Sequence, residues 1–239
     1  MNDFPDLGKL GSQSKLVFLS GAGVSAESGI STFRDSGGLW EKHNIYDVAT
    51  PEAWRANQDL VLEFYNQRRK QLLQVEPNAA HRAIARLQDY FKVEVITQNV
   101  DDLHERAGSE KVMHLHGELR KSRSSVDDSL VYDIDGWEIK KGDLCEKGSQ
   151  LRPHVVWFGE MVPMIEPAQE LVSQADLLVV VGTSLNVYPA AGLLHAVRAG
   201  TPIIAIDPAP LDLDHFPRTY HLREKAGEGM QKLWLKLRR

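Results

Sequence analysis

Several polar side chains, some of which can exchange protons, follow short apolar segments of the chain. Gln98, Asn99 and Asp101 come soon after the segment 93–96, and His116 follows further along. An imidazole suits a general base, because its ordinary pKa of about 6.5 lets it accept a proton at neutral pH. Polar residues at a strand end are also commonly turn formers, and Asp101 could cap the next helix. By residue type alone, Asp101 and His116 are candidates for acid–base chemistry, and the two amides are candidates for binding.

A glycine-rich turn is the second chemical signal. Residues 21–26 have the pattern G-x-G-x-x-A and lead from the apolar segment 16–19 into a predicted helix. Glycines let backbone N–H groups approach a pyrophosphate, but such a segment is often only a tight turn. Dinucleotide folds usually place a ribose-binding acid about 20 residues further on. Here residues 35–40 read as a loop, so a hydride-transferring dehydrogenase is disfavoured.

These groups need a scaffold that brings them together, and the apolar pattern predicts one. Four short segments rich in β-branched residues are typical of buried parallel strands: 16–19, 93–96, 177–181 and 203–206. Helical spacing between several of them predicts an α/β fold with a doubly wound parallel sheet of the Rossmann-like kind. Such sheets bind ligands at the carboxyl ends of their strands. We therefore expect the glycine-rich turn and the polar residues to share one crevice.

We expect a single domain over residues 1–239 with two insertions. The Rossmann-like core would comprise the segments 12–34, 91–117 and 168–239. The first insertion, residues 35–90, carries helix spacing at 51–54, 60–73 and 81–87. The tail 228–239 predicts an amphipathic closing helix.

The second insertion, residues 118–155, is polar and charged. An Asp-Gly pair at 135–136 stands between two alternating segments. Asp-Gly in such a setting is a strong hairpin signal. The sequence therefore predicts a β-hairpin over residues 130–139.

Composition excludes several classes of protein. The chain has 239 residues, of which 42% are apolar and 26% charged, as in ordinary globular proteins. Its net charge of −5 provides no basic field for nucleic acid. The apolar run 177–181 is far shorter than the roughly 18 residues of a membrane helix, and the start has no cationic leader. We expect a cytoplasmic monomer with no nucleic-acid or membrane partner.

Six ordered blocks of the sequence resemble the motifs of the sirtuins, which are NAD-dependent protein lysine deacylases. The blocks are residues 21–34, 97–101, 115–117, 155–160, 182–184 and 187–191. The resemblance covers most of residues 15–230 and implies NAD as the cofactor and acyl-lysine proteins as substrates. It implies that nicotinamide leaves the NAD ribose and that the acyl oxygen attacks the exposed anomeric carbon. The products would be free lysine, nicotinamide and O-acyl-ADP-ribose.

The resemblance also implies roles for individual residues. As catalytic groups, His116 would deprotonate a ribose hydroxyl, Asn99 would order the ribose and a water, and Asp101 would hold the nicotinamide carboxamide. The cofactor would contact Gly21, Ala22, Gly23, Ala26, Phe33, Arg34, Gln98, Asn99, Asp101, Gly182, Thr183, Ser184, Asp207, Pro208 and Ala226. The substrate would contact Ala49, Tyr65, Arg68, Val155, Trp157, Phe158 and Gly159.

Tyr65 and Arg68 bear on the choice of acyl group. They are three residues apart on a predicted helix and so share a face. Residue type alone favours an exposed arginine beside a half-buried tyrosine. The pair, however, resembles the Tyr-x-x-Arg of the desuccinylase and demalonylase branch, and Ala49 resembles its small pocket residue. A guanidinium can grip a carboxylate through two parallel bonds, and a phenol can add a third. The resemblance therefore implies succinyl and malonyl as well as acetyl substrates.

The second insertion departs from the family pattern. Sirtuins usually carry two cysteine pairs there, which bind a structural zinc ion. Residues 121–125 contain no cysteine, and Cys145 is the single cysteine of the chain. One thiolate cannot complete a tetrahedral site, so we expect a degenerate, zinc-less ribbon and no bound metal. An apolar core would replace the metal, built from Tyr132, Ile134, Trp137 and Ile139.

Two other functions stay open on the sequence alone. A protein ADP-ribosyltransferase would use the same nicotinamide-releasing site with another acceptor. A non-catalytic NAD or ADP-ribose sensor would keep the pocket without the chemistry. The presence of His116 together with Asn99 and Asp101 argues against a sensor, because sensing does not need a base.

Overall fold

A computed structural model describes residues 4–5, 7–30 and 44–238. Within these residues, the strands in chain order are β1 (Lys15–Ser20), β2 (Lys92–Thr97), β3 (Val112–His114), β4 (Gly117–Ser124), β5 (Val131–Asp133), β6 (Leu151–Val155), β7 (Leu177–Val181), β8 (Ile203–Ile206) and β9 (Thr219–Leu222). The α-helices are α1 (Gly23–Ala26), α2 (Ile45–Val48), α3 (Pro51–Ala56), α4 (Gln58–Leu72), α5 (Ala79–Arg86), α6 (Leu103–Arg106), α7 (Ile165–Ser173) and α8 (Ala226–Leu237). Two 3-10 helices cover Leu87–Asp89 and Ala190–Ala196.

The larger sheet is parallel throughout and has the strand order β3-β2-β1-β7-β8-β9. The predicted strands β1, β2, β7 and β8 form its centre, so the prediction of a doubly wound α/β sheet is confirmed. Alternate side chains of β1 point to opposite faces, with Phe18 in one apolar cluster and Leu19 in the other. Helices α5 and α8 cover the first face, and α7 covers the second.

The strand order reverses direction between β1 and β7. The chain winds outward to β2 and β3 on one side of β1, and to β8 and β9 on the other. A crevice opens at such a switch point, beyond the carboxyl ends of the strands. The glycine-rich turn after β1 and Gly182 after β7 therefore meet at the place where doubly wound sheets bind ligands.

Within residues 44–90, the described part of the first insertion, the chain is largely helical. Thr50 caps α3 by accepting a hydrogen bond from Ala53 N at 3.0 Å. Asn57 caps α4 in the same way, from Leu60 N at 3.1 Å. Helix α4 buries one face, which includes Phe64 and Tyr65, against the smaller sheet.

The smaller sheet is antiparallel, with the order β5-β4-β6. The predicted hairpin over 130–139 is wrong, because β5 pairs with β4 and residues 137–139 turn away to α4. There Asn66 both donates to Ile139 O at 3.0 Å and accepts from Ile139 N at 2.9 Å. The side chain of Asn66 therefore provides the hydrogen bonds that a paired strand would have provided to the backbone of Ile139.

The apolar core expected for this module forms in part. Ile134 and Ile139 are buried in a cluster that α4 shares, whereas Tyr132 and Trp137 are half-buried. Helix α4 therefore contributes much of the apolar surface that holds the module in place.

The closing helix is confirmed as α8, although it begins at Ala226, two residues earlier than predicted. No helix among the described residues combines the length and apolarity that crossing a bilayer requires.

Candidate active site

A cavity of about 900 Å³ lies at the carboxyl ends of β1, β2 and β7. All the predicted site residues that the structure describes line it: Gly21, Ala22, Gly23, Ala26, Ala49, Tyr65, Arg68, Gln98, Asn99, Asp101, His116, Val155, Trp157, Phe158, Gly159, Gly182, Thr183, Ser184, Asp207, Pro208 and Ala226. Phe33 and Arg34 lie outside the described residues. The fold therefore brings these residues, which were predicted from the sequence, to one cavity.

We call one wall of the cavity the glycine side, formed by Gly21, Gly23 and Gly182. Here the turns after β1 and β7 touch backbone to backbone, and Gly23 N donates to Gly182 O at 2.8 Å. A Cβ on Gly182 would lie 2.2 Å from Val24 N, and φ of Gly182 is +62°. Neither turn can carry a side chain at these points, so bare backbone faces the cavity. The N–H groups of these three glycines already donate to Val181 O, Gly182 O and Ile206 O, so the glycine side offers a bound molecule space rather than hydrogen-bond donors.

Ser25 links two of the predicted catalytic residues. Its Oγ donates to Asp101 Oδ2 at 2.9 Å and accepts from Asn99 Nδ2 at 3.0 Å. All three side chains are buried. Burial raises the pKa of Asp101, although hydrogen bonds from Ser25 and the Leu103 backbone oppose the rise. Leu103 N donates to Asp101 Oδ1 at 3.3 Å, but the N-cap of α6 is Asp102, so the alternative that Asp101 caps this helix is wrong.

His116 has the tautomer that a general base requires. Its Nδ1 lies 2.9 Å from Gln98 O, and a carbonyl oxygen can only accept a hydrogen bond. The Nδ1 atom therefore carries the ring proton, and Nε2 keeps a lone pair. Burial lowers the pKa of His116, which outweighs the opposing effect of the Gln98 carbonyl. The ring is therefore neutral at pH 7 and ready to accept a proton.

His114 holds the next carbonyl of the same loop. Its Nδ1 lies 2.9 Å from Asn99 O, and its Nε2 lies 2.8 Å from Glu105 Oε1. Burial alone lowers the pKa of His114, but the bond to Glu105 and its negative charge raise it above the usual value. His114 and His116 thus fix two consecutive peptide groups of the loop that follows β2.

The opposite wall, which we call the aromatic side, consists of Tyr65, Arg68 and Trp157. Tyr65 is 1% exposed and accepts a hydrogen bond from Trp157 Nε1 at 3.1 Å. Arg68 is half-buried, with its guanidinium carbon 5.6 Å from the Tyr65 ring centroid. Both residues line the cavity, so they share a helix face as predicted. Ala49 borders them, and its carbonyl accepts from Phe158 N at 3.0 Å.

The sequence analysis missed two residues near the predicted groups. Ser25 stands within the glycine-rich turn, where its hydroxyl was the available signal. His114 gave no signal beyond its residue type, because its partners come from α6 and from the loop after β2.

Cys145 lies in a small cluster of hydroxyl groups. Its Sγ is 3.3 Å from Ser124 Oγ and 3.1 Å from Ser149 Oγ, and the two hydroxyls are 2.9 Å apart. These hydrogen bonds lower the pKa of the thiol to about 7. Serine hydroxyls are not among the usual zinc ligands.

Another group of possible metal ligands occurs within the described residues. Donor atoms of Glu105, His114 and Glu118 lie within 4.8 Å of one another. The ammonium group of Lys121 already lies 2.8 Å from Glu118 Oε2. A cation is therefore present beside this group without a metal.

Comparison with known proteins gives consistent matches over most of the chain. Residues 21–189 match the model of the Sir2 family. A relative from Bacteroides thetaiotaomicron, named NAD-dependent protein deacylase, is 55% identical over 224 residues and covers 91% of this chain and 95% of its own. A Helicobacter pylori protein of the same name is 53% identical over 225 residues and covers 93% and 96%.

Solved structures resemble the whole fold. The crystal structure of a Sir2 homologue in complex with NAD has a TM-score of 0.85 and 43% identity, covering 94% of this chain and 89% of that one. A mutant Sir2 homologue in complex with ADP-ribose has a TM-score of 0.85 and 44% identity, covering 94% and 92%.

Proposed function

The chain belongs to the Sir2 family of NAD-dependent protein deacylases, and we propose on this premise that it prefers lysine acyl groups that end in a carboxylate, such as succinyl and malonyl. The observation that carries the proposal is the pair of Arg68 and Tyr65, which both face the cavity. A guanidinium and a phenol are suitable partners for one carboxylate. Acetyl-lysine, which offers no such group, would be the poorer substrate.

The glycine side fits the cofactor. When bound, NAD supplies a ribose carbon that becomes electrophilic as nicotinamide leaves. Gly21, Gly23 and Gly182 line the cavity without side chains, which leaves room for the cofactor, while their own N–H groups donate to Val181 O, Gly182 O and Ile206 O within the fold. Gln98 Nε2 donates to Thr183 Oγ1 at 3.0 Å and so joins the ends of β2 and β7 beneath the same site.

The buried amide and carboxyl groups would orient the reacting parts. Asn99 is fixed by Ser25, so its remaining amide atoms can order a ribose hydroxyl or a water. Asp101 accepts one bond at each oxygen, from Ser25 and from Leu103 N, and each oxygen keeps capacity for a second. That capacity suits the amino group of the nicotinamide carboxamide.

His116 would be the general base. Its free Nε2 lone pair and lowered pKa make it a neutral acceptor for the proton of a ribose hydroxyl. Gln98 O holds the other ring nitrogen and also stabilises the charged ring once the proton has arrived. His116 would hold that proton while the bond from the acyl carbon to the lysine nitrogen is replaced by one to the ribose oxygen, so that free lysine is released and the acyl group stays on the ribose.

Arg68 and Tyr65 would bind the far end of the acyl chain. Because Trp157 donates to the Tyr65 oxygen, the phenolic proton is available for another acceptor. The positive guanidinium lies beside it, at the same wall. A succinyl or malonyl carboxylate would therefore receive bonds from two groups that a methyl group cannot use.

Nicotinamide release by the wild-type enzyme tests the proposal. One lysine peptide would be assayed unmodified and with acetyl, malonyl, succinyl and longer acyl groups. We expect release to require acyl-lysine, with kcat/KM higher for succinyl and malonyl than for acetyl. An equal or higher kcat/KM for acetyl would contradict the substrate preference. Release without acyl-lysine, accompanied by label from NAD on protein, would indicate the alternative of ADP-ribosyl transfer.

A further inference from the structure

The hydroxyl group of Tyr65 is oriented by its neighbour. Trp157 Nε1 donates to it at 3.1 Å, and the two residues are 2% and 1% exposed, respectively. Indole N–H is a donor only, so the phenolic proton cannot point back at it. The direction of the indole therefore restricts the direction of the Tyr65 O–H.

Trp157 is in turn held by the ion pair of Arg152 and Glu160, which lies outside the aromatic side although Glu160 borders the same cavity. The guanidinium carbon of Arg152 lies 3.3 Å from the indole ring centroid, a stacked cation–π contact. Arg152 Nη1 and Nη2 donate to the two oxygens of Glu160 at 2.7 and 3.1 Å. Glu160 Oε2 also accepts from Trp157 N at 2.7 Å. The fork thus fixes both the ring and the backbone of Trp157.

Burying the charges of Arg152 and Glu160 costs free energy, so their position calls for a reason other than stability. The side chain of Arg152 is 9% exposed and that of Glu160 is 19% exposed. Replacing such a pair by apolar groups is often neutral for stability, so stability alone is a weak reason to keep it. A planar, two-bond fork does provide fixed geometry. Here that geometry is transmitted to the indole that contacts Tyr65.

We propose that Arg152 and Glu160 are positioning residues for acidic acyl groups, which act through Trp157 on the Tyr65 hydroxyl. This inference rests on the proposed function. It adds that acyl preference depends on Arg152 in β6 and Glu160 just after it, and not only on the helix that carries Tyr65 and Arg68. The pair would lower KM for succinyl-lysine by holding a phenolic proton ready for the carboxylate.

The test compares KM and kcat for succinyl- and acetyl-lysine forms of one peptide. Arg152→Lys keeps the charge but removes the fork and the planar stack. We expect KM for succinyl-lysine to rise about 3- to 10-fold, the range of one neutral hydrogen bond, while kcat stays within about twofold. KM for acetyl-lysine should change by less than about twofold, because that substrate does not use the phenolic proton.

Arg123 provides a matched control. Its side chain is also 9% exposed and lies 3.3 Å from Glu160, but the cation stacked on Trp157 is Arg152. Arg123→Lys should leave the ratio of the two KM values within about twofold of wild type. An equal shift from Arg123→Lys and Arg152→Lys would overturn the proposal, since loss of either buried guanidinium would then suffice.

A double-mutant cycle separates positioning from a general structural role. In a Tyr65→Phe background no hydroxyl remains to be oriented, so adding Arg152→Lys should raise KM for succinyl-lysine no further. Additive effects would overturn the proposal. If Arg152→Lys does not fold, Glu160→Gln carries the same expectations, because it also removes the charged fork.

The failure of the positioning role and the failure of the proposed substrate preference are distinguishable in these experiments. A wild-type enzyme without a succinyl preference would overturn both. A wild-type enzyme with that preference, combined with an unchanged ratio in Arg152→Lys and in Glu160→Gln, would overturn the positioning role alone.

Discussion

The two walls of the cavity are built in different ways. The glycine side is backbone against backbone, where Gly23 N bonds Gly182 O and a Cβ at either residue would collide. The aromatic side is side chain against side chain: Trp157 donates to the Tyr65 oxygen, and Arg152 stacks on Trp157 from outside this wall. A wall of fixed backbone suits a cofactor whose phosphate and ribose groups are the same in every turnover. A side-chain network can adjust the acyl preference without disturbing the chemistry, and the predictions below test that separation.

Loss of the base should have the largest effect and should spare the fold. His116→Tyr removes the neutral Nε2 acceptor, so we expect turnover on every acyl substrate to fall at least about 100-fold. The melting temperature should stay close to that of wild type. His195→Tyr, an exposed histidine outside the cavity lining, is the matched control and should retain activity. Near-normal turnover in a folded His116→Tyr protein would exclude His116 as the base.

Substitutions of two neighbouring arginines of α4 should differ in their effect: one should lower the stability of the fold and the other the recognition of the acyl group. Arg69 is fully buried and donates to Leu119 O and Trp137 O at 2.6 and 2.7 Å. Arg69→Met leaves both carbonyls without these donors, so we expect the free energy of unfolding to fall by about 2–4 kcal/mol.

Arg68→Met is the matched control for stability, since it changes the adjacent, half-buried side chain. Its free energy of unfolding should stay within about 1 kcal/mol of wild type. Denaturant unfolding measures both variants. An equal loss of unfolding free energy in the two variants would show that Arg68 contributes to stability as much as Arg69 does.

The pH dependence of kcat/KM should report the burial of His116. The base acts in its neutral form, and burial lowers its pKa. Protonation therefore begins at a lower pH than in a free imidazole, so the acid limb should fall below about pH 6.5 and the rate should be flat near pH 7. An acetyl-lysine peptide avoids titration of a substrate carboxylate. Asp101→Asn should keep this limb despite lower activity; loss of the limb would assign it to Asp101 instead.

Removal of metal should have the smallest effect. Because the chain has one cysteine, we predict far less than one zinc per chain by elemental analysis, and the same activity with and without EDTA. Cys145→Ser should change the free energy of unfolding by less than about 1 kcal/mol, since hydroxyls already surround the thiol. Stoichiometric zinc, or an EDTA-induced loss that zinc restores, would contradict the prediction and direct attention to Asp127, Asp128, Asp143 and Cys145.

The central strands and the glycine side were predictable from the sequence, whereas the edge strands were not. Strands β1, β2, β7 and β8 were predictable because they are short β-branched runs buried on both faces. The edge strands β3 and β9 were missed because they are short and half-buried, without a continuous apolar run. The glycine side followed from the motif of the turn after β1.

The side-chain networks could not be predicted from the sequence. Asn66 and Arg69 bond to backbone atoms about 50 to 70 residues away, and no local pattern specifies such partners. The wrong hairpin at 130–139 has the same cause, since a local Asp-Gly signal was outweighed by bonds from α4. Tyr65 and Arg68 were singled out by their resemblance to the family's Tyr-x-x-Arg pair, and helix spacing placed them on one face. The indole that orients the phenol lies 92 residues away from it, so no local pattern indicated it.

The most direct test of the central claim is the kcat/KM of Arg68→Met for succinyl- and acetyl-lysine forms of the same peptide, measured beside wild type. A charged hydrogen bond is worth roughly 1.5–3 kcal/mol, so succinyl kcat/KM should fall about 10- to 100-fold. Acetyl kcat/KM should fall far less, and Arg68→Lys should lie between, because it keeps the charge without the fork. An equal loss on both substrates would contradict the account and assign Arg68 to structure.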